Sequence, residues 1–401
     1  MVMARKKIAV FFGEQSFEHD ISILTGLQAI KVIDQSKFEV FPVYIDLNRN
    51  WWTGNGLLNQ DNYPLAVKQP KDITKVKFCL GDGVGYLQPV SGGVFAAKKP
   101  IYFDAAFLAF HGDFGETGAF QGLMESAGIP YTGCRMLAAN VFMNKVTTKQ
   151  LCRTLGIPVL PEVVLNRPEN KAFFDVKDIT KDIDLPFPLC VKPLHLGSSI
   201  AVSKVTTKEE LDSAVIKVFA LDNQAIVEPF VENLEEYNVS VTRIFGEPSC
   251  SAIERPAKKN AILDFADKYK AGGKGKGVKG AKSGNADIRG LVSLSREYNP
   301  KELTKEQREK ILSWAKTLFV AMDGNGAPRI DFLCNTKTGE LWLGEVNPIP
   351  GSFAFYLWEN AEPKVNFTKL LTAIIEEAFA EAGKKSLAYG TLKDNRIFED
   401  K

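Results

Sequence analysis

The sequence predicts an α/β chain of more than one domain, opening on a parallel sheet and continuing through smaller α+β units. Three observations carry this expectation. The chain has 401 residues, against roughly 150 for an ordinary domain. Residues 8–45 read strand, glycine turn, helix, strand, which is a βαβ unit and implies parallel strands. From about residue 145 the strands and helices are short and separated by small-residue loops.

The elements follow in order. Residues 8–12 form a short apolar run ending at Gly13. Ile21, Leu24, Ala29 and Ile33 then recur at helical spacing, predicting a helix over 18–33 that Ser16 or Glu18 opens. A strand is predicted at 38–45 and a turn-rich hairpin or loop at 51–56. A buried strand over 104–110 leads into the glycine-punctuated loop His111–Gly118 and a helix through about 127. Loops after strands 8–12 and 104–110 lie at the carboxyl ends of parallel strands, where such sheets hold ligands. Next come a helix at 146–155, strands at 189–192, 200–205 and 225–228, and a helix at 207–220, a unit spanning about 145–235. The remainder starts with a strand at 237–245 and a polar stretch, 264–283. A helix at 304–322, strands at 329–333 and 341–347 and a terminal helix at 365–382 complete it.

Composition excludes several classes. The chain is 45% hydrophobic and 24% charged with net charge +2, which is globular rather than disordered. That balance argues against an extended nucleic-acid surface. No apolar run approaches the roughly 18 residues of a membrane span. The basic start precedes an apolar segment too short for a signal peptide, and no small-residue cleavage site follows. The six cysteines lie far apart with no Cys-x-x-Cys, so free thiols in a cytoplasmic protein are expected. No P-loop, dinucleotide fingerprint, His-Glu-x-x-His or Gly-x-Ser-x-Gly occurs.

Chemistry concentrates in four places. Arg329 and Asp331 are two apart on one predicted strand, and Glu345 and Asn347 are two apart on another. Each pair therefore shares a strand face. Their oxygens are hard ligands of the kind Mg²⁺ takes, with a guanidinium beside them to meet developing negative charge. The same spacing fits an ordinary sheet face with ion pairs. Pro348-Ile349-Pro350-Gly351-Ser352 must leave the sheet, and the Gly351 N–H can face a ligand or simply lie in a loop. Lys192 precedes the hairpin Gly197-Ser198-Ser199, which suits phosphate binding and equally suits a plain turn. The lysines at 268, 270, 274, 276, 279 and 282 make a basic glycine-rich loop, either a lid over an anionic substrate or a solvated loop. The three histidines, His19, His111 and His195, fall in these loops or at the adjoining helix entry.

Taken together, the segments resemble the D-alanine–D-alanine ligases of the ATP-grasp superfamily. The matching stretches are 12–22, 111–122, 129–133, Met143-Asn144-Lys145, Val191-Lys192-Pro193 with 196–199, Val227-Glu228, Arg329-Ile330-Asp331-Phe332, and Glu345-Val346-Asn347 with 349–352. They occur in family order across nearly all of residues 7–380. The resemblance implies a three-domain ATP-grasp ligase: an N-terminal parallel-sheet domain over 1–144, a central subdomain over 145–235, and a C-terminal subdomain over 236–401 with a lid at 264–283. It implies ATP-dependent joining of two D-alanines through an acyl phosphate, for peptidoglycan precursors, by a cytoplasmic homodimer. Its partners are then small molecules, with neither nucleic acid nor membrane.

The resemblance also implies roles. Asp331, Glu345 and Asn347 hold Mg²⁺, or Mn²⁺ in its place. Lys145 and Lys192 contact nucleotide phosphates, with Ser199 beside them. Glu228 and Glu236 lie where the family holds adenine and ribose. Arg329 and the Gly351 N–H stabilise the tetrahedral intermediate. Glu18 orients the first substrate's ammonium, with His111 nearby. Glu18, Ser198 and Tyr269 form the trio that closes the lid, and Lys268 assists with substrate charge. Ser352 and Tyr356 belong to the second-substrate site. The sequence departs from the family pattern at Thr117, Asn144, Ala201, Pro328, Pro348 and Tyr356. Tyr356 stands where many members carry a serine that binds the second carboxylate. A D-lactate, D-serine or other acceptor, or a homologue that binds nucleotide without catalysis, are the alternatives. Tyr269 after Lys268, as in dipeptide-forming members, favours an amine acceptor.

Overall fold

A computed structural model of the chain describes residues 4–68, 70–81, 84–90, 99–169, 174–197, 199–256 and 296–389. Three sheets organise them. In the first, β1 (Lys6–Gly13) lies between β2 (Phe38–Ile45) and β6 (Ala105–Leu108), parallel to both. Residues 8–12 and all of β6 are buried, as expected for central parallel strands. The parallel sheet is only half of the layer. β3 (Trp51–Thr53), β4 (Thr74–Gly81) and β5 (Val84–Pro89) extend it antiparallel, in the order β5–β4–β3–β2–β1–β6. The reason is local: the links from β2 to β3 and from β4 to β5 are short, and short links can only make hairpins. The helix His19–Val32 is the crossover from β1 to β2. The chain's last helix, Phe367–Tyr389, returns to this layer, where Leu370, Leu371, Ile374 and Ile375 join the same core as Phe107.

The second sheet is antiparallel, ordered β7 (Val163–Asn166), β10 (Gln224–Pro229), β8 (Leu189–Pro193), β9 (Ser203–Val205). The helix Lys208–Phe219 covers it through Leu211, Val215 and Val218. The strand expected at 200–205 starts only at Ser203. Ser199 and Ala201 have φ of +58° and +55°, left-handed values that a strand cannot contain.

The third sheet runs β14 (Arg296–Tyr298), β13 (Glu254–Pro256), β11 (Leu234–Thr242), β15 (Arg329–Asn335), β16 (Leu341–Asn347), with β12 (Ser249–Cys250) paired to β11. The helix Lys305–Ala321, opened by a Thr304/Gln307 capping box, covers it. The helices Met136–Met143 and Lys145–Thr154 share its core too: Ala138, Phe142 and Cys152 cluster with Val239, Phe332 and Leu343. Residues 145–154 thus pack on the third sheet, so sequence order and packing do not coincide there. The lid at 264–283, with Lys268 and Tyr269, and also Ser198, lie outside the described residues.

Candidate functional site

Strand register assembles the centre of the site. Asp331 pairs with Glu345 and Arg329 with Asn347 across β15 and β16. On the other side of β15, Asn238 of β11 pairs with Asp331, and Glu254 of β13 pairs with Asn238. Residues opposite one another share a sheet face. Glu254, Asn238, Asp331 and Glu345 therefore form a polar row across four adjacent strands, with Arg329, Asn347 and Glu236 on the same face. All seven line one cavity of about 290 Å³.

Arg329 grips Asp331 with two parallel bonds, Nε to Oδ1 and Nη2 to Oδ2, both 2.7 Å. The Asn347 side-chain amide adds a third bond, to Asp331 Oδ2 at 3.1 Å. Burial works against the guanidinium charge, but Asp331 beside it keeps Arg329 protonated. The Asp331, Glu345 and Asn347 oxygens are a hard donor set, and the buried Asn238 Oδ1 beside them has no hydrogen-bond partner among the described residues. The set fits a hard divalent cation. It contains two carboxylates, and the described residues hold no group of three or more His, Cys, Asp or Glu able to bind a metal.

The lysines line the same cavity. Lys145 opens its helix, where the Asn144 side chain caps by accepting the Thr147 N–H at 2.9 Å. Its Nζ donates to the carbonyls of Leu196 (2.7 Å) and Leu194 (3.4 Å), fastening the loop that leads to Ser199. Lys192 Nζ lies 2.6 Å from Glu228 Oε2, and Lys149 Nζ bonds the other Glu228 oxygen. Burial, then the neighbouring Lys192 charge, lowers the Lys145 pKa. For Lys192 burial is outweighed by Glu228 and the pKa rises; for Glu228 it is outweighed by the two lysines and the pKa falls. Lys149, which sequence reasoning missed, is thus part of the ion cluster around Glu228.

The first layer supplies a third wall. Glu18 is buried at the entry of its helix, and Oε2 would lie 3.2 Å from a Cβ on Gly112 and 3.0 Å from one on Gly197. The first layer and the central loop meet at this carboxylate. His111 Nε2 lies 2.8 Å from Thr25 Oγ1, and burial, then the Arg329 charge, pushes its pKa down to about 4. Glu116, also missed, accepts the N–H groups of Gly112 (2.5 Å) and Ile349 (3.0 Å). Burial, then the Glu18 charge, pushes it up to about 8.

The turn beyond β16 completes the site. Gly351 lines the cavity, and a Cβ there would meet nothing within 4 Å. Ser352, Phe353 and Ala354 follow with φ of +50°, +55° and +48°. Three non-glycine residues in the left-handed region are a strained run of the kind that clusters at functional sites. The Ser352 hydroxyl is buried without a hydrogen-bond partner among the described residues. Tyr356 is buried beneath Arg296, whose guanidinium sits 3.9 Å from the ring centroid and bonds Glu254 Oε1 at 2.5 Å. Neither Arg296 nor Glu254 was legible as a site residue. The two-residue spacing of Arg329 with Asp331 and of Glu345 with Asn347 pointed to the half of the row on β15 and β16, and nothing in the sequence pointed to Asn238 or Glu254.

Two antiparallel sheets enclosing a cavity with lysines on one wall and a carboxylate–amide row on another define an ATP-grasp protein. Residues 7–134 match the family description "D-ala D-ala ligase N-terminus", and residues 151–288 and 293–376 match "D-ala D-ala ligase C-terminus". A D-alanine–D-alanine ligase from Thermosipho melanesiensis is 34% identical over 355 residues, 88% of this chain and 89% of its own length. D-alanine–D-alanine ligase A of Bradyrhizobium diazoefficiens is 31% identical, over 93% and 94% of the two chains. The VanG D-Ala:D-Ser ligase of Enterococcus faecalis superposes with a TM-score of 0.72 at 26% identity, over 94% of this chain and 100% of its own. The chain belongs to the D-alanine–D-alanine ligase family.

Proposed function

We propose that the chain joins two D-alanine molecules into D-alanyl-D-alanine with conversion of ATP to ADP and phosphate. The observation that carries this reading is Arg329 held by Asp331 on the sheet face that also bears Glu345 and Asn347. A carboxylate has a poor leaving group until it is activated. The first D-alanine carboxylate attacks the γ-phosphorus and becomes an acyl phosphate. The second D-alanine's amine attacks that carbonyl, and phosphate leaves from the tetrahedral intermediate.

Each residue has a task in that sequence. Lys145 and Lys192 meet the nucleotide phosphates with Ser199 beside them, and Glu228 and Glu236 hold adenine and ribose. Glu18, with His111 close by, orients the first ammonium group. Arg329 and the Gly351 N–H face the oxyanion that develops at the carbonyl. Ser352 and Tyr356 belong to the second-substrate end. Glu18, Ser198 and Tyr269 close the lid in this reading, and Lys268 assists with substrate charge. Asp331, Glu345 and Asn347 would hold Mg²⁺ or Mn²⁺, which supplies neutralisation of phosphate charge. The working unit in this reading is a cytoplasmic homodimer serving peptidoglycan synthesis.

The test is phosphate release with ATP, Mg²⁺ and D-alanine, with the product identified by mass. D-alanine-dependent release with dipeptide supports the reading, and release without dipeptide contradicts it. Tyr356 in place of serine favours one second reading, an acceptor such as D-serine or D-lactate, which adding each of these to the same assay distinguishes by product mass.

A further inference from the structure

The end of the polar row at β13 and β14 carries more than the roles above use. Arg296 is nearly buried, with its side chain 11% exposed, and Glu254 is buried to 1%. A guanidinium has five N–H donors, and among the described residues this one meets a single hydrogen-bond acceptor, Glu254 Oε1, and the face of the Tyr356 ring. Arg296 Nε and Glu254 Oε2 are both buried without a hydrogen-bond partner among the described residues. An unmet donor beside an unmet acceptor, on residues that line the cavity, is a costly arrangement for a protein interior. It matches a ligand that carries an anion and a hydrogen-bond donor together.

Position selects which ligand group this is. β14 is the strand at the opposite edge of the sheet from β16, which carries Glu345 and Asn347. The donor's carboxylate is consumed by phosphorylation and must lie toward the lysines and the Glu345 end. The acceptor's carboxylate survives the reaction unchanged and needs its own cationic partner. Arg329 is already bound bidentately to Asp331. The aromatic face under Arg296 fixes the plane of its guanidinium, which is the preorganisation that planar carboxylate recognition requires.

We propose that Arg296, braced by Glu254 and stacked on Tyr356, is the group that recognises the acceptor's carboxylate and so determines acceptor specificity. The assignment rests on the ligase reading and deepens it. It gives Tyr356 a function other than the hydroxyl contact of the serine it replaces: it is the platform for the guanidinium.

The experiment is a competition between two acceptors in one mixture. D-alanine supplies the donor, and D-alanine and D-alaninamide, which lacks the anionic carboxylate, compete for the acceptor position. The wild-type chain is expected to favour the free acid by about tenfold or more, the size of one charge-assisted hydrogen bond. Arg296→Gln should bring the product ratio close to one by losing acid turnover alone, with KM for ATP and for the donor unchanged. Arg296→Lys, which keeps charge but not the planar fork, should fall between. An active Arg296→Gln chain with an unchanged ratio overturns the assignment and leaves the ligase reading intact. So does a loss shared equally by both acceptors. A wild-type chain that makes no dipeptide at all overturns both.

Discussion

The Glu116 carboxylate accepts the Ile349 N–H at 3.0 Å on one oxygen and the Gly112 N–H at 2.5 Å on the other. One buried side chain therefore ties the loop of the first layer to the turn that presents Gly351. Removing it leaves two N–H groups unpaired. Glu116→Ala is expected to destabilise the chain by about 2–6 kcal/mol, from a penalty of about 1–3 kcal/mol for each of the two unmet groups. It should also lower kcat more than it raises KM for ATP, because the displaced N–H at Gly351 acts on the oxyanion. Chemical denaturation and steady-state kinetics check this; normal kcat in a folded variant counts against the tie.

Glu14 predicts a pH dependence. It is wholly buried, with both oxygens lacking a hydrogen-bond partner among the described residues and a φ of +79°. Burial, then the charges of Asp113 and Glu116, push its pKa up from 4.5 to about 10. A carboxyl whose folded pKa is raised contributes stability below its unfolded pKa, and that contribution is lost as pH rises toward the folded value. Between about pH 5 and pH 9 wild-type stability should therefore fall, at most about 1.4 kcal/mol per pH unit from this group. Glu14→Gln should flatten that fall and be the more stable chain at the alkaline end. Urea midpoints that track each other in parallel across the range contradict it.

Lys149 shows how the lysine wall of the cavity is held. It is buried, bonds the Leu160 carbonyl at 2.9 Å, and shares Glu228 with Lys192. Lys149→Met leaves the buried Glu228 with one cationic partner instead of two. The expected cost is about 3–5 kcal/mol, as for other broken buried pairs, together with a raised KM for ATP as Lys192 is drawn more tightly to Glu228. A denaturation midpoint and an ATP titration read the two effects; an unchanged KM in a folded variant would show that Lys192 is not shared between Glu228 and nucleotide.

Gly197 predicts a steric effect. A Cβ there would stand 3.0 Å from Glu18 Oε2. Gly197→Ala must push the carboxylate or the loop aside by a few tenths of an ångström, and misplacements of this kind weaken positioning. KM for the first D-alanine should rise several-fold while KM for ATP moves less. Equal KM values for wild type and variant would mean that Glu18 and the loop adjust freely.

Much of this was legible in the sequence, for specific reasons. Two-residue spacing placed Arg329 with Asp331 and Glu345 with Asn347, because alternation along a strand is fixed by geometry. The apolar runs at 8–12 and 104–110 marked the central parallel strands, the second of which is the shorter Ala105–Leu108. Cross-strand register was not legible, since Asn238 meets Asp331, and Glu254 meets Asn238, only after the chain has left and re-entered the sheet. Nor was the antiparallel half of the first layer, where β4 has a single buried residue and so gives little apolar patterning. Lys149 and Glu116 looked like ordinary helix and loop charges. Their importance comes from burial, which depends on what packs over them.

In the proposed reaction the first D-alanine is activated through its own carboxylate oxygen at the cavity that Arg329 and Gly351 line. The most direct measurement follows that oxygen. D-alanine labelled with ¹⁸O in both carboxylate oxygens is turned over with ATP, and the released phosphate and the dipeptide are weighed by mass spectrometry. The account predicts one ¹⁸O in each phosphate, with the peptide carbonyl keeping the other. Unlabelled phosphate released in step with dipeptide would contradict it.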